Sequence, residues 1–461
     1  MNRDPVHTTP PAAQAPLLRK EGTVWKRLPS LVKEGWRKTP GWLHRSPVTG
    51  HRSRFLCLAA LAIALLIPWQ GGAQNPGAFL LDFSEAELRM ILQHGPWPPP
   101  ASRDPSNRVS GKAEAIAFGE KLFFERRLSA KGSVACATCH VPERGWSDGR
   151  KLGVGLAEVD RNTPTVQNVR VHRWFGWDGA SDNLWSQSIR PLLDAREMGM
   201  TERQVAEVVR NDADLACRYE KAFGARPAAG DDAVLVAVGK ALAAFQETLV
   251  SGRTPFDDFR DALERGDLKA AARYPQDAQK GLRIFVGRGN CSLCHFGPNF
   301  THGEFHEIGI PVFKKAGGVD WGRYEGIKKL RANRFNLLGP FNDDPPRAVG
   351  TSTRHVALAP QTFEQFKVPT LRNVTRTAPY MHNGHLAALP DVVRHYSEID
   401  PTLLHMAHLY FDPLVPEAVP TDTLLKPLKL TSIEISYVVA FLATLTDNEA
   451  PHKSRAAVSC R

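Results

Sequence analysis

Two five-residue segments carry the most specific chemistry in this chain, Cys136-Ala137-Thr138-Cys139-His140 and Cys291-Ser292-Leu293-Cys294-His295. Each sets two thiols three residues apart, with an imidazole directly after the second. That pattern suits covalent attachment of a c-type haem, because two thiols add across two vinyl groups while the neighbouring histidine reaches the iron. With this cysteine and histidine content, one chance match is expected in roughly one of 300 sequences. Two matches are not accidental. A zinc site would want four ligands from paired clusters, and a redox dithiol would want a βαβ context that these flanks do not offer. Two covalently bound haem c groups are expected, with His140 and His295 as proximal ligands.

Elements on either side must hold these segments. Residues 84–94 carry Leu88, Ile91 and Leu92 on one helical face, residues 112–124 carry Ile116, Phe118, Leu122 and Phe123, and residues 232–249 are rich in Ala, Val and Leu. Thr431 and Glu434 form a capping box ahead of an apolar helix over 435–445. Strand signals are sparse, so the fold is expected to be mainly α. A short helix leads into each motif, over 113–124 and 277–285, and a later helix follows each. This resembles cytochrome c, and the chain is expected to hold two tandem cytochrome c-like haem domains, 74–253 and 254–461. Ser251-Gly252-Arg253-Thr254-Pro255 marks the junction. A stretch at 311–366, rich in Gly, Pro, Asn and Arg, reads as an insertion in the second domain. Turns are expected at Gly317-Gly318 and at 342–346.

Charge and apolarity are segregated along the sequence. The formal charge is +11. Residues 1–54 hold 11 Lys and Arg against 3 Asp and Glu, which leaves about +3 for the remainder and argues against nucleic-acid binding by the folded part. An uncharged apolar run at 55–69 and the small residues Gly71-Gly72-Ala73 follow. That run is short for a membrane span and right for a signal core, so residues 1–73 read as a basic extension plus an export signal cleaved after Ala73. The mature protein is then expected in the periplasm without stable membrane insertion; an uncleaved inner-membrane anchor is the alternative. Cys57 lies too early in the run for lipid attachment. Once the two motifs and Cys57 are set aside, only Cys217 and Cys460 remain, too few for a disulfide framework.

Several further motifs occur in a fixed order: Arg161-Asn162-Thr163-Pro164-Thr165, Phe175-Gly176-Trp177-Asp178-Gly179, Glu197-Met198-Gly199, and residues 368–374 through Pro379-Tyr380-Met381-His382. With them the chain resembles the bacterial dihaem cytochrome c peroxidase family, including its MauG-like members, over about 111–447. The resemblance implies a peroxidatic first haem and an electron-transfer second haem. Trp177 is similar to the tryptophan that relays electrons between them. Glu197 matches the acid/base carboxylate over the peroxidatic iron, with Gln187 and Pro191 at the spacing of its distal neighbours. Asn162, with the carbonyls of Thr377 and Pro379, matches a calcium site, and an amide oxygen with two carbonyls suits that hard cation.

Departures from the family pattern carry their own implications. Many of these peroxidases cap the first iron with a histidine from a loop; here Gly153-Val154-Gly155 has valine, and no histidine lies between His140 and His172. The first haem is therefore expected to be five-coordinate and open when oxidised, as in MauG-like members. The second haem's distal methionine is replaced by Tyr396, whose oxygen stabilises ferric iron better than a thioether does. Helical spacing alone allows Tyr396 to be a core residue with Leu389, Val392 and Val393, and Met381 and His382 are nearby competing ligands. MauG-like enzymes carry a tryptophan just before the second motif, whereas Gly289-Asn290 stand here, so methylamine dehydrogenase maturation is not supported. The resemblance implies either a cytochrome-c peroxidase fed by a monohaem cytochrome c or a cupredoxin, or a MauG-like oxidase in which hydrogen peroxide drives a high-valent two-haem state that oxidises a protein residue or small molecule. An electron carrier would close both axial positions of each iron.

Overall fold

Helix starts follow from local capping. Ser84 with Glu87, Thr201 with Gln204, Thr254 with Asp257 and Thr431 with Glu434 each close a reciprocal box over the exposed N–H groups of a first turn. The computed structural model describes residues 79–315, 317–400, 425–448 and 460. The expected basic extension and export signal lie outside these residues. Within them the protein is mainly helical. The named strands are Phe305–His306 and Phe366–Lys367, which pair antiparallel with Phe305 opposite Lys367.

The helix Ala113–Phe123 leads into the first Cys-x-x-Cys-His motif and crosses Asp231–Gln246. Gln276–Val286 leads into the second and crosses Ser432–Ala443. Each crossing is closed by a glycine. A Cβ on Gly119 would stand 1.9 Å from the Ala241 carbonyl oxygen, and one on Gly281 would stand 1.9 Å from that of Tyr437. Neither backbone pair could approach so closely with a side chain between them.

The likeness between the halves extends past the helices. Asn168 and Asn373 both adopt positive φ before a 3-10 turn, Val169–Val171 and Val374–Arg376. Their N–H groups donate to the carbonyls of Leu249 and Leu445, and their side-chain oxygens accept from the N–H groups of Ser251 and Asp447. The same asparagine clamp thus ties each proline-bearing segment to the end of its later helix.

Buried apolar side chains form two large clusters. One runs from Val109 to Leu249 and includes Phe335; the other runs from Phe256 to Leu445 and includes Phe83 and Ile91. Those last two come from a segment that the sequence reading assigned to the first haem domain. Gln279 holds that segment to the second cluster, accepting from the Leu81 N–H and donating to the Phe79 carbonyl.

Residues 311–366 hold a helix, Arg323–Ala332, that the sequence reading did not anticipate. This region packs on the first haem half. Arg323 donates to the carbonyls of Asp178 and Gly179, Asp182 accepts from the Leu337 N–H and the Thr353 hydroxyl, and Lys240 pairs with Asp343 at 2.6 Å. Gly317 and Gly318 take positive φ in the expected turn. Cys217 and Cys460, set aside in the sequence as too few for a framework, form a disulfide. A single bridge needs no framework, and the 243-residue separation hid the pairing.

Replacing Gly281 with valine is expected to force the two helices of the second half apart and to cost about 2–3 kcal/mol. Denaturant unfolding of the haem-loaded protein measures this, and unchanged stability would contradict the tight crossing.

Candidate active site

Short helical turns deliver both attachment motifs, Cys136–Cys139 in the first and Cys291–Leu293 in the second. None of the four thiols forms a disulfide. Burial pushes the Cys136 and Cys291 thiols up to about 12 and Cys139 up to about 11. Thiols so protonated make poor redox nucleophiles at neutral pH. They remain able to be held as thioethers.

The histidines fit the same reading. Nδ1 of His140 lies 3.1 Å from the Trp146 carbonyl and Nδ1 of His295 lies 3.0 Å from the Phe300 carbonyl. A proton held on Nδ1 by a carbonyl fixes the tautomer and leaves Nε2 as the ligand nitrogen. Burial lowers the pKa of both rings, that of His295 to about 4, so both are neutral, as iron ligands must be. Both motifs line one mainly apolar cavity of about 580 Å³. The donor set and the enclosure fit two haem c groups.

Glu197, Gln187 and Pro191 line this cavity with the first motif. The helix Leu184–Leu193 starts on Asn183, whose side chain accepts from the Ser186 N–H, and it carries Gln187 and Pro191. Its end folds into a turn in which the Met198 N–H bonds to the Pro191 carbonyl and the Glu197 N–H to that of Asp194. Residues 153–157 are hydrogen-bonded onto this turn, the Leu156 N–H to the Glu197 carbonyl at 2.9 Å and the Ala157 N–H to that of Arg196 at 2.8 Å. Gly155 sits so close that an added Cβ would lie 2.5 Å from the Glu197 oxygen. The Cys139 thiol reaches the Val154 carbonyl at 3.5 Å. The valine that stands in place of a capping histidine is therefore beside the first motif.

Burial raises the Glu197 carboxyl pKa and the neighbouring Asp194 charge adds to this, against the pull of Arg190 and Arg196. The Glu197 charge in turn acts on the thiols of Cys136 and Cys139. Arg190 donates to the Gln187 side-chain oxygen at 3.2 Å.

Tyr396 lies on the helix Leu389–Glu398, where Leu389 and Val393 are buried in the second core, and its ring lines the cavity. Burial holds its hydroxyl well above the ordinary tyrosine value, and the thiols of Cys294 and Cys291 add to the effect. The competing ligands are placed differently. His382 is 3% exposed and stacks on Phe366 with centroids 3.6 Å apart and planes 4° apart. Burial pulls its pKa down to about 3, and Asp320 and Arg161 are the main charges acting on it. Met381 lines the cavity at a positive φ of 74°.

Trp177 also lines the cavity, and its indole N–H donates to the Asn162 carbonyl at 2.8 Å. Asn162 is buried; its side-chain amide donates to the Arg150 carbonyl and its N–H to the His382 carbonyl, each at 2.8 Å. With the amide nitrogen committed, the side-chain oxygen is the atom left for a cation. Thr377 and Pro379 share the same cavity wall.

Sequence reasoning missed the charged group that braces Trp177. Arg161 pairs with Asp178 at 2.8 Å and makes two 2.7 Å bonds to Asp320. Burial pushes the Asp178 carboxyl up, but the charges of Arg161, Arg190 and Lys329 together outweigh it and hold that carboxyl well below its usual range. Arg161 and Asp178 stand inside the recognised motifs, which was the available signal. Asp320, in the insertion, offered none.

Comparison with known proteins identifies the family. A family model described as di-haem cytochrome c peroxidase matches residues 113–265. The methylamine utilization protein MauG of Methylorubrum extorquens is 34% identical over 402 residues, covering 84% of this chain and 96% of its own. Cytochrome c551 peroxidase of Nitrosomonas europaea is 29% identical, covering 74% and 82%. Among solved structures, a MauG-like protein associated with microbial copper homeostasis superposes with a TM-score of 0.55 at 25% identity, covering 77% of this chain and 96% of that one. The chain therefore belongs to the dihaem cytochrome c peroxidase family, which includes MauG-like members.

Proposed function

We propose that the protein is a periplasmic peroxidase that reduces hydrogen peroxide to water at the haem attached through Cys136 and Cys139. The observation that carries this reading is Glu197, a half-buried carboxyl with a raised pKa on the cavity wall, whose charge acts on those two thiols. The haem, held by His140, supplies the iron to which peroxide binds and at which electrons arrive. The Glu197 carboxylate takes the proton from the inner peroxide oxygen and returns it to the outer oxygen as the O–O bond breaks. Two electrons and two further protons complete two molecules of water. Gln187, held by Arg190, and Pro191 shape the space beside the carboxylate.

A haem held by His140 would keep an open position for peroxide, since the remaining histidines lining the cavity are otherwise engaged. His172 lies between Lys367 and Asn299, His306 faces His302 at 3.1 Å, and His382 is stacked on Phe366. Electrons come from a small redox protein, a monohaem cytochrome c or a cupredoxin, through the second haem and Trp177. Fixation of the indole N–H by Asn162 supports the relay role. One calcium ion on Asn162, Thr377 and Pro379 would rigidify this junction.

Tyr396 favours a second reading, peroxide-driven oxidation of a protein residue or small molecule, as the MauG resemblance implies. Its hydroxyl faces the second motif, and ferric iron would offset the burial that keeps it protonated. An anionic oxygen ligand makes the second haem a poor entry port for low-energy electrons.

Glu197→Gln is expected to slow the reaction with peroxide about 10²–10⁴-fold, measured by stopped flow. In the native protein the rate should fall as pH drops through the raised Glu197 pKa, since the base form is lost there, and the variant should lack that limb. An unchanged rate and profile would exclude Glu197 as the base. Tyr396→Phe is expected to remove the low-spin absorption of the second haem; an unchanged low-spin spectrum would show that another group binds that iron.

A further inference from the structure

Lys367 is a half-buried cation on the cavity wall that the reaction described so far leaves unused. It stands on the strand Phe366–Lys367, and its N–H donates to the Trp177 carbonyl at 2.8 Å. Its side chain lines the cavity shared by both attachment motifs. The ammonium donates to His172 Nδ1 at 3.2 Å, and His172 Nε2 lies 3.2 Å from the side-chain amide of Asn299, in the loop of the second motif. Among the described residues no carboxylate pairs with Lys367. Burial alone lowers its pKa, to about 8, with no acidic group acting on it.

A half-buried cation with no carboxylate partner is a ready site for an anion that enters the cavity. The nearby carboxylates have other partners: Asp178 and Asp320 are held by Arg161. His172 cannot supply the charge, because burial and the Lys367 ammonium hold its pKa well below the usual value and keep it neutral. The anion must therefore arrive with a ligand. Each haem c carries two propionate carboxylates, and Lys367 and Trp177 line the same cavity as the two motifs.

We propose that Lys367, oriented by His172, is the positioning residue that receives a haem propionate in the part of the cavity beside Trp177. The assignment rests on the haem reading of the two motifs. A fixed positive charge there favours the reduced haem, so Lys367 raises the potential of the haem it holds while anchoring it next to the electron relay.

The test is redox titration, followed by haem absorption, of the haem-loaded native protein and its Lys367→Met and Lys367→Arg variants. Haem per chain is counted separately, as a test of the haem reading itself. With two haems retained, Lys367→Met should shift at least one midpoint potential to more negative values, and Lys367→Arg should restore it. Unchanged potentials in Lys367→Met would overturn the proposal. Should Lys367→Met fold poorly, the native protein still decides: a propionate bonded to an exchangeable N–H shifts its resonance Raman bending mode in D2O. Absence of that shift would equally overturn the proposal.

Discussion

Placement of two Cys-x-x-Cys-His motifs on the wall of one shared, mainly apolar cavity is the constraint on which the rest of the structure depends. Burial there keeps the thiols protonated and both proximal histidines neutral. It also raises the Glu197 and Tyr396 pKa values and leaves Lys367 without an anion. In such apolar surroundings each charge counts for more than in solvent. The glycine-closed helix crossings and the paired asparagine clamps hold this wall in place twice over.

The two halves share this scaffold yet differ where chemistry is decided. In the first, a turn at Glu197 is pinned by residues 153–157, with valine at the loop position nearest Cys139. In the second, a helix brings Tyr396 to the cavity. One half thus presents a carboxyl to the cavity, and the other presents a tyrosine oxygen. Arg161, with Asp178 and Asp320, braces the Trp177 segment between them and draws the insertion into the same construction.

Much of this was legible in sequence because it is local. Capping boxes, the helix entering each motif and the Cys-x-x-Cys-His spacing depend on residues within a few positions of one another. The helix Arg323–Ala332 was not legible because its buried face is Arg323, Gly326, Ile327 and Leu330, of which only two are apolar, and its start has no side-chain cap. The correspondence between Asn168 and Asn373 was visible in principle, since each ends a Pro-Thr-x-x-Asn-Val segment, but only the matched φ angles and partners show that it is structural. The Cys217–Cys460 bridge and the Arg161–Asp320 pair depend on contacts far apart in sequence, which no local pattern encodes.

The central claim is that the first site is open in the fully oxidised protein, with Glu197 beside it. Rapid mixing of the fully ferric protein with one equivalent of hydrogen peroxide, with no reductant present and absorption followed from the dead time, tests this directly. The account predicts an immediate change in the haem spectrum. A spectrum that stays unchanged until the second haem has been reduced would contradict it.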